Sequence, residues 1–166
     1  MWQWLAGMVL AGCCMAAMAG SDGYALLGGE APDFALRAFD GPNVRLSEGR
    51  GDVVVLTFWG SNCGPCRGTL AMLDRSYGTY RSAGLDIYGI SVDDDAAHAR
   101  SFAADSRVQF AMLSDPEKSV ARRYQVDNLP MTILIDRHGG VRYVHRDPGT
   151  GDEALYLSQL RELLNE

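Results

Sequence analysis

Val53-Val54-Val55-Leu56-Thr57-Phe58-Trp59 runs straight into Gly60-Ser61-Asn62 and then Cys63-Gly64-Pro65-Cys66, and this junction decides how the chain is read. The residues before the break are almost all β-branched or aromatic, the pattern of a strand buried on both faces and therefore placed inside a sheet. Gly60-Ser61-Asn62 ends it, and from Cys63 to about Arg81 the apolar residues Leu70, Leu73 and Tyr77 recur at helical spacing. The cysteine pair thus opens a helix that follows a central strand. Unpaired N–H groups and partial positive charge at a helix N-terminus favour a thiolate. The spacing keeps both sulfurs within bonding range while the first reaches solvent. Cys63 is the expected nucleophile, forming a mixed disulfide with a substrate, and Cys66, one turn further in, is the residue expected to resolve it. Gly64 is read as allowing a tight turn, and Pro65 as occupying a place where a missing helix N–H costs nothing.

Outward from this junction, Leu85–Val92 is the next strand, followed by a helix to about Asp105 for which Asp93, Asp94 and Asp95 serve only as caps. Gln109–Leu113 is a third strand, and Asp115-Pro116-Glu117 supplies the cap and first-turn proline of a helix to about Tyr124. Met131–Ile135 and Val141–His145 flank Arg137-His138-Gly139-Gly140 as an antiparallel hairpin, and Asp152–Leu164 closes the chain as an amphipathic helix. Upstream, Glu30–Leu36 alternates as a short edge strand turned by Asp40-Gly41-Pro42-Asn43. Strands alternating with helices give a parallel core to which the hairpin adds an antiparallel part, so the class is α/β.

Composition narrows the function. The 166 residues are 47% hydrophobic and 22% charged, enough for one folded domain and unlike a disordered or disulfide-dense chain. A net charge of -6 with no basic cluster argues against nucleic-acid binding. Residues 1–20 carry no charged side chain and read as a targeting leader, 21–29 as a Gly-rich linker and 30–166 as the domain. The leader holds a small-residue cleavage pattern at Ala17-Met18-Ala19 and a lipobox-like Leu10-Ala11-Gly12-Cys13, which would anchor the chain by a lipid on Cys13; an uncleaved membrane anchor is the third option. All three place the domain outside the cytoplasm. Beyond Cys13 and Cys14 the only cysteines are Cys63 and Cys66, a lone close pair whose purpose is chemical, the alternative being a passive disulfide. No metal is expected, since a zinc site needs two further ligands and His98, His138 and His145 lack a paired spacing.

Four stretches together carry a resemblance: Ala31-Pro32-Asp33-Phe34, Phe58 to Cys66, Gly89-Ile90-Ser91-Val92-Asp93, and Leu129-Pro130-Met131-Thr132-Ile133-Leu134-Ile135-Asp136. Over about Gly29 to Leu164 the chain resembles the TlpA/ResA-like family of extracytoplasmic thiol-disulfide oxidoreductases. The resemblance implies a thioredoxin-like fold: a central mixed sheet flanked by helices, with an extra helix-strand insertion between Cys66 and Pro130 and an N-terminal strand or hairpin. It implies that Pro130 is cis and packed against the cysteine pair, and that the Leu129 backbone pairs with the substrate chain beside Cys63. Trp59 is read as a core residue that also lines the site. No cofactor is implied beyond the redox-active disulfide Cys63-Cys66. The implied partners are a disulfide-bearing exported protein, in cytochrome c or oxidase maturation, and a membrane thiol relay as electron donor. Cys-Gly-Pro-Cys, shared with thioredoxin at about -270 mV, tilts the reading towards a reductant.

The chain departs from its relatives at Thr69, where many carry glutamate, at Thr57, where thioredoxins carry a buried aspartate, and at Asn62, where tryptophan is common. A water held by Thr57 is the expected substitute proton acceptor, and Arg67 a source of positive charge near the thiolate. Two other functions compete. A Sco-like Cu(I) chaperone would use Cys63, Cys66 and His138, against which stands the longer cysteine spacing of that group. A peroxiredoxin-like peroxidase shares the Ala-Pro-Asp-Phe start, yet this chain has Gly60 and Leu56 where the peroxide pocket needs a hydroxyl residue and a proline.

Overall fold

The structure is a computed structural model that describes residues 24–146 and 153–166. The leader, with Cys13, lies outside them. Seven strands form the sheet: β1 (Ala35–Ala38), β2 (Val44–Arg45), β3 (Val53–Trp59), β4 (Leu85–Ser91), β5 (Ala111–Ser114), β6 (Met131–Ile135) and β7 (Val141–Arg146), in the order β2-β1-β5-β4-β3-β6-β7. β3, β4 and β5 run parallel, while β1, β2, β6 and β7 pair antiparallel. The four helices are α1 (Cys66–Tyr80), α2 (Ala96–Ser106), α3 (Ser119–Arg123) and α4 (Glu153–Leu164).

Every residue of β3 is buried, as its composition predicts, because both faces of the strand are covered. Val53, Val55 and Trp59 face α1, α2 and α4 through Leu70, Leu73, Phe102, Tyr156 and Leu160. Val54, Leu56 and Phe58 face Phe34, Val120 and Tyr124 on the other side. Parallel pairing needs crossovers, and α1 and α2 supply them on one face. Among the described residues no helix is long and apolar enough to cross a membrane.

Three boundaries differ from the sequence reading. β1 is not an edge strand: it sits between β2 and β5, and the edge is the two-residue β2 brought back by the turn. Alternation reports a half-buried strand and carries no information on its neighbours. The second half of the expected linker is packed: Tyr24 is buried and its hydroxyl donates to the Tyr124 carbonyl at 2.7 Å, while Gly28 N–H donates to Val141 O and Val141 N–H to Gly29 O, both at 2.8 Å. One aromatic with area to bury outweighs the flexibility of its glycine neighbours. Third, α3 starts at Ser119, a turn later than expected, because Asp115 caps from a distance; its buried carboxylate accepts from the N–H groups of Ser119, Val120 and Ala121.

Burial pushes the Tyr24 hydroxyl up to about 12, with Arg146 opposing and Asp127 reinforcing, and it holds Tyr88, Tyr124 and Tyr156 above the usual tyrosine range. A folded-state pKa raised above the unfolded value of about 10 gives stability that is complete below pH 10 and lost as pH rises through 12. The unfolding free energy is therefore expected to stay level to about pH 9.5 and fall above pH 10, less steeply in Tyr24→Phe. Chemical denaturation across that range checks this, and identical slopes for the two chains would refute the docking of Tyr24.

Candidate active site

β3 delivers its C-terminal end to the site. Gly60 is buried, and a Cβ there would lie 3.3 Å from Leu129 Cδ1, so a side chain at this place would press on Leu129. A turn follows in which Cys63 N–H donates to Gly60 O at 3.0 Å. α1 then begins at Cys66, with Pro65 as its cap at φ -70° and ψ -18°. Cys63 therefore stands on the turn ahead of the helix instead of in its first turn, because Pro65 and Gly64 are spent in reaching the helical conformation. Gly64 is exposed, takes no left-handed φ and has nothing within 4 Å of a Cβ, so the turn it forms with Pro65 does not require glycine.

The two sulfurs form a disulfide of 2.03 Å with a Cα–Cα distance of 5.4 Å. Cys66 is 0% exposed, packed with Val55, Trp59 and Leu70, whereas Cys63 is half-buried. Cys63 opens onto a groove of about 1200 Å³, whose walls come from the turn itself, the β4–α2 connection, α3 and the segment Gln125–Leu129. The Leu129–Pro130 peptide bond is cis and Pro130 is buried, while the half-buried Leu129 lines the groove beside Cys63. The Leu129 N–H, expected to meet a substrate chain, donates to Asn128 Oδ1 at 2.9 Å.

Trp59 does not line this groove. It is fully buried on the other side of the turn, stacked on Phe102 at 4.9 Å between ring centroids, with its indole N–H unpartnered. Strand alternation decides this, since residue 59 shares the face of residues 53 and 55. Arg67 goes the same way: its guanidinium lies 4.3 Å over the Phe102 ring, at the outer end of that stack, and not among the groove residues.

The positions at which the resemblance leads one to look for carboxylates carry buried hydroxyls. Thr57 and Thr132 are opposed across β3 and β6, both buried, and Thr132 Oγ1 donates to Thr57 Oγ1 at 3.2 Å. Thr57 thus accepts from a protein hydroxyl and keeps its own O–H to donate. Thr69 is buried on α1, three residues beyond Cys66.

The acidic triplet divides its work, which the sequence reading missed by treating all three residues as caps. Asp95 caps α2, accepting from the N–H groups of His98 and Ala97, and these bonds hold its carboxyl below the usual carboxylate range. Asp94 pairs with Lys118 at 2.9 Å at the groove rim. Asp93 instead accepts from the Ser61 N–H, the Ser61 hydroxyl and the Ser91 hydroxyl. The available signal was Ser91-Val92-Asp93 at a strand end, two positions upstream of an acid already sufficient to cap the helix. The remaining groove cations are Arg122 and Arg146, the latter 3.5 Å from Asp127. His138 lies in the β6–β7 turn, at the far end of β6 from Pro130, so it cannot join the cysteines around one metal ion.

Residues 27–144 match the AhpC/TSA family. The thiol-disulfide oxidoreductase ResA of Geobacillus kaustophilus is 34% identical over 118 residues, covering 71% of this chain and 68% of that protein. ResA of Halalkalibacterium halodurans is 31% identical over 118 residues, with coverage of 71% and 67%. Among solved structures, one described as a thiol:disulfide interchange protein DsbE from Chlorobium tepidum superposes with a TM-score of 0.80 at 33% identity, covering 83% of this chain and 97% of its own. Another, described as a protein disulfide isomerase from Bacteroides thetaiotaomicron, gives a TM-score of 0.77 at 28% identity, over 84% and 91%. The fold is thioredoxin-like, as the resemblance implied.

The buried hydroxyl pair Thr57–Thr132 makes a specific energetic prediction. Thr57→Val leaves the buried Thr132 hydroxyl without its acceptor and should cost about 1–2 kcal/mol, whereas Thr57→Val with Thr132→Val removes both groups and should cost less than the single change. Denaturant titrations of the two variants check this; a double variant no more stable than the single change would mean the pair is not isolated from other polar groups.

Proposed function

Because the chain belongs to the AhpC/TSA family and is a thiol-disulfide oxidoreductase of the ResA-like kind, we propose that it reduces disulfides in exported proteins through Cys63 and Cys66. The observation that carries this reading is the inequality within one disulfide. Cys63 borders the groove and Cys66 is wholly enclosed, so a partner sulfur reaches only the first. In the reduced enzyme the Cys63 thiolate attacks a substrate disulfide, one substrate thiolate departs and is protonated, and a Cys63–substrate disulfide remains. The Cys66 thiolate then attacks the Cys63 sulfur, releasing the second substrate thiol. Two electrons and two protons have passed to the substrate, and the Cys63-Cys66 disulfide is restored.

The α1 N-terminus directly behind the pair favours the thiolates. Leu129 and the cis Pro130 shape the wall against which the substrate chain lies, and the Asn128 amide, now on Leu129 N–H, gives way to a substrate carbonyl. The reading extends to an extracytoplasmic setting, with electrons supplied by a membrane thiol relay, clients in cytochrome c or oxidase maturation, and attachment through a lipid on Cys13. The uncharged stretch at residues 1–20 supports export. The peroxidase alternative is disfavoured by Gly60 beneath Leu129, which leaves no hydroxyl at that place. The copper alternative is disfavoured by the distance of the His138 turn.

A midpoint potential below about -220 mV in defined thiol buffers is expected for such a reductant, and one above about -150 mV would make the protein an oxidant or isomerase. Cys66→Ser should trap a mixed disulfide at Cys63 with a disulfide-bearing protein and abolish turnover, while Cys63→Ser should trap none. Non-reducing electrophoresis with mass analysis of the adduct distinguishes the two.

A further inference from the structure

Resting on the reading of Cys63-Cys66 as the reacting couple, we propose that Asp93 is a positioning residue that holds the Cys63 turn against the sheet when the disulfide is open. Only residues 60–62 separate β3 from Cys63. In the oxidised chain this turn is joined to β3 on one side and, on the other, to α1 both by the two residues Gly64 and Pro65 and by the sulfur bridge. Reduction removes the bridge and leaves only that short backbone link on the α1 side. The bond from Cys63 N–H to Gly60 O is internal to the turn and ties it to nothing else.

What remains besides that link is Asp93. The Ser61 N–H lies 3.0 Å from each of its carboxylate oxygens, and the Ser61 hydroxyl donates to Oδ1 at 2.8 Å. Among the described residues no other side-chain hydrogen bond joins residues 60–62 to the body. The carboxylate is itself rooted in the sheet: the Ser91 hydroxyl donates to Oδ2 at 2.9 Å and accepts from the Asp93 N–H at 3.1 Å. Ser91 ends β4 opposite Trp59 of β3, Val92 N–H donates to Trp59 O at 3.0 Å, and Asp115 N–H donates to Ser91 O at 2.9 Å. The bracket thus joins the C-terminal ends of two buried parallel strands to the turn that carries the nucleophile. Asp94 and Asp95 are engaged by Lys118 and by α2, so neither duplicates it.

The consequence is thermodynamic. A dithiol whose sulfurs are held close recloses to a disulfide with a higher effective concentration than one whose turn wanders. The Asp93 carboxylate also lines the groove that Cys63 borders, where a like charge disfavours the thiolate. Both effects favour the disulfide over the dithiol, so removing Asp93 shifts the couple towards the dithiol and makes it more oxidising.

The test equilibrates the full chain with glutathione. Two glutathione thiols give two electrons and two protons to the Cys63-Cys66 disulfide, yielding the dithiol and glutathione disulfide. Alkylation and mass analysis of the peptide bearing residues 63–66 read the ratio independently of Cys13 and Cys14. Asp93→Ala is expected to lower the disulfide-to-dithiol ratio about tenfold, equivalent to about 30 mV. Ser61→Ala keeps the backbone bonds and is expected to lower it only two- to threefold, a graded response that ordinary destabilisation does not produce. A ratio within twofold of the parent in Asp93→Ala, with the unfolding midpoints of its oxidised and reduced forms falling equally, would overturn the proposal. If Asp93→Ala does not fold, Asp93→Asn carries the test: a roughly threefold fall supports the bracket and an unchanged ratio overturns it. The parent's absolute potential tests the reductant reading separately, since the proposal concerns only the difference between variant and parent.

Discussion

The structure depends on one strand being buried on both faces. β3 can be covered on both sides only if helices cross over one face and the N-terminal segment with α3 closes the other. Burying each large apolar side chain contributes about 1.5–3 kcal/mol, so the strand cannot shift its register without exposing several of them at once. Its C-terminal end is therefore a fixed point. The turn, the disulfide and the mouth of the groove are all built within a few residues of that point, which is why a reactive sulfur can sit on a loop and still be held in place.

From that fixed point the two sulfurs acquire unequal surroundings. Cys66 begins α1 and falls into the apolar layer with Val55 and Leu70, while Cys63 stays on the turn at the groove. Thr57, Thr69 and Thr132 are buried as well, and Thr57 and Thr132 bond to each other across β3 and β6. A hydroxyl pair satisfies its own hydrogen bonding in a buried place without the desolvation cost of a charge, so this site is stable at rest. Charges stand at the groove rim, where Asp94 meets Lys118 and Asp127 meets Arg146 in contact with solvent. A substrate protein therefore meets mixed charge around the reactive sulfur and an apolar wall at Leu129.

Much of this was legible in the residues. The unbroken apolar run at 53–59, the break at Gly60 and the cysteine pair after it determine the central strand, the crossover helix and the chemistry, because each is a short-range pattern whose cause lies within one element. The hairpin after Pro130 and the C-terminal helix follow from turn chemistry and periodicity in the same way. The failures share a cause as well. Trp59 and Arg67 were placed at the site from closeness in sequence to the cysteines, but alternation turns Trp59 to the far face and Arg67 follows it onto Phe102.

The sequence by itself determined the secondary elements, the reactive pair and the class of reaction, since period, breakers and thiol spacing act over a few residues. Only the tertiary structure decided what surrounds that pair. Tyr24 against Tyr124, Thr57 against Thr132 and Asp93 against Ser61 join residues 100, 75 and 32 positions apart. Such contacts exist only after the sheet has set its strand order, because polar partners are chosen by proximity in space and leave no periodic trace along the chain.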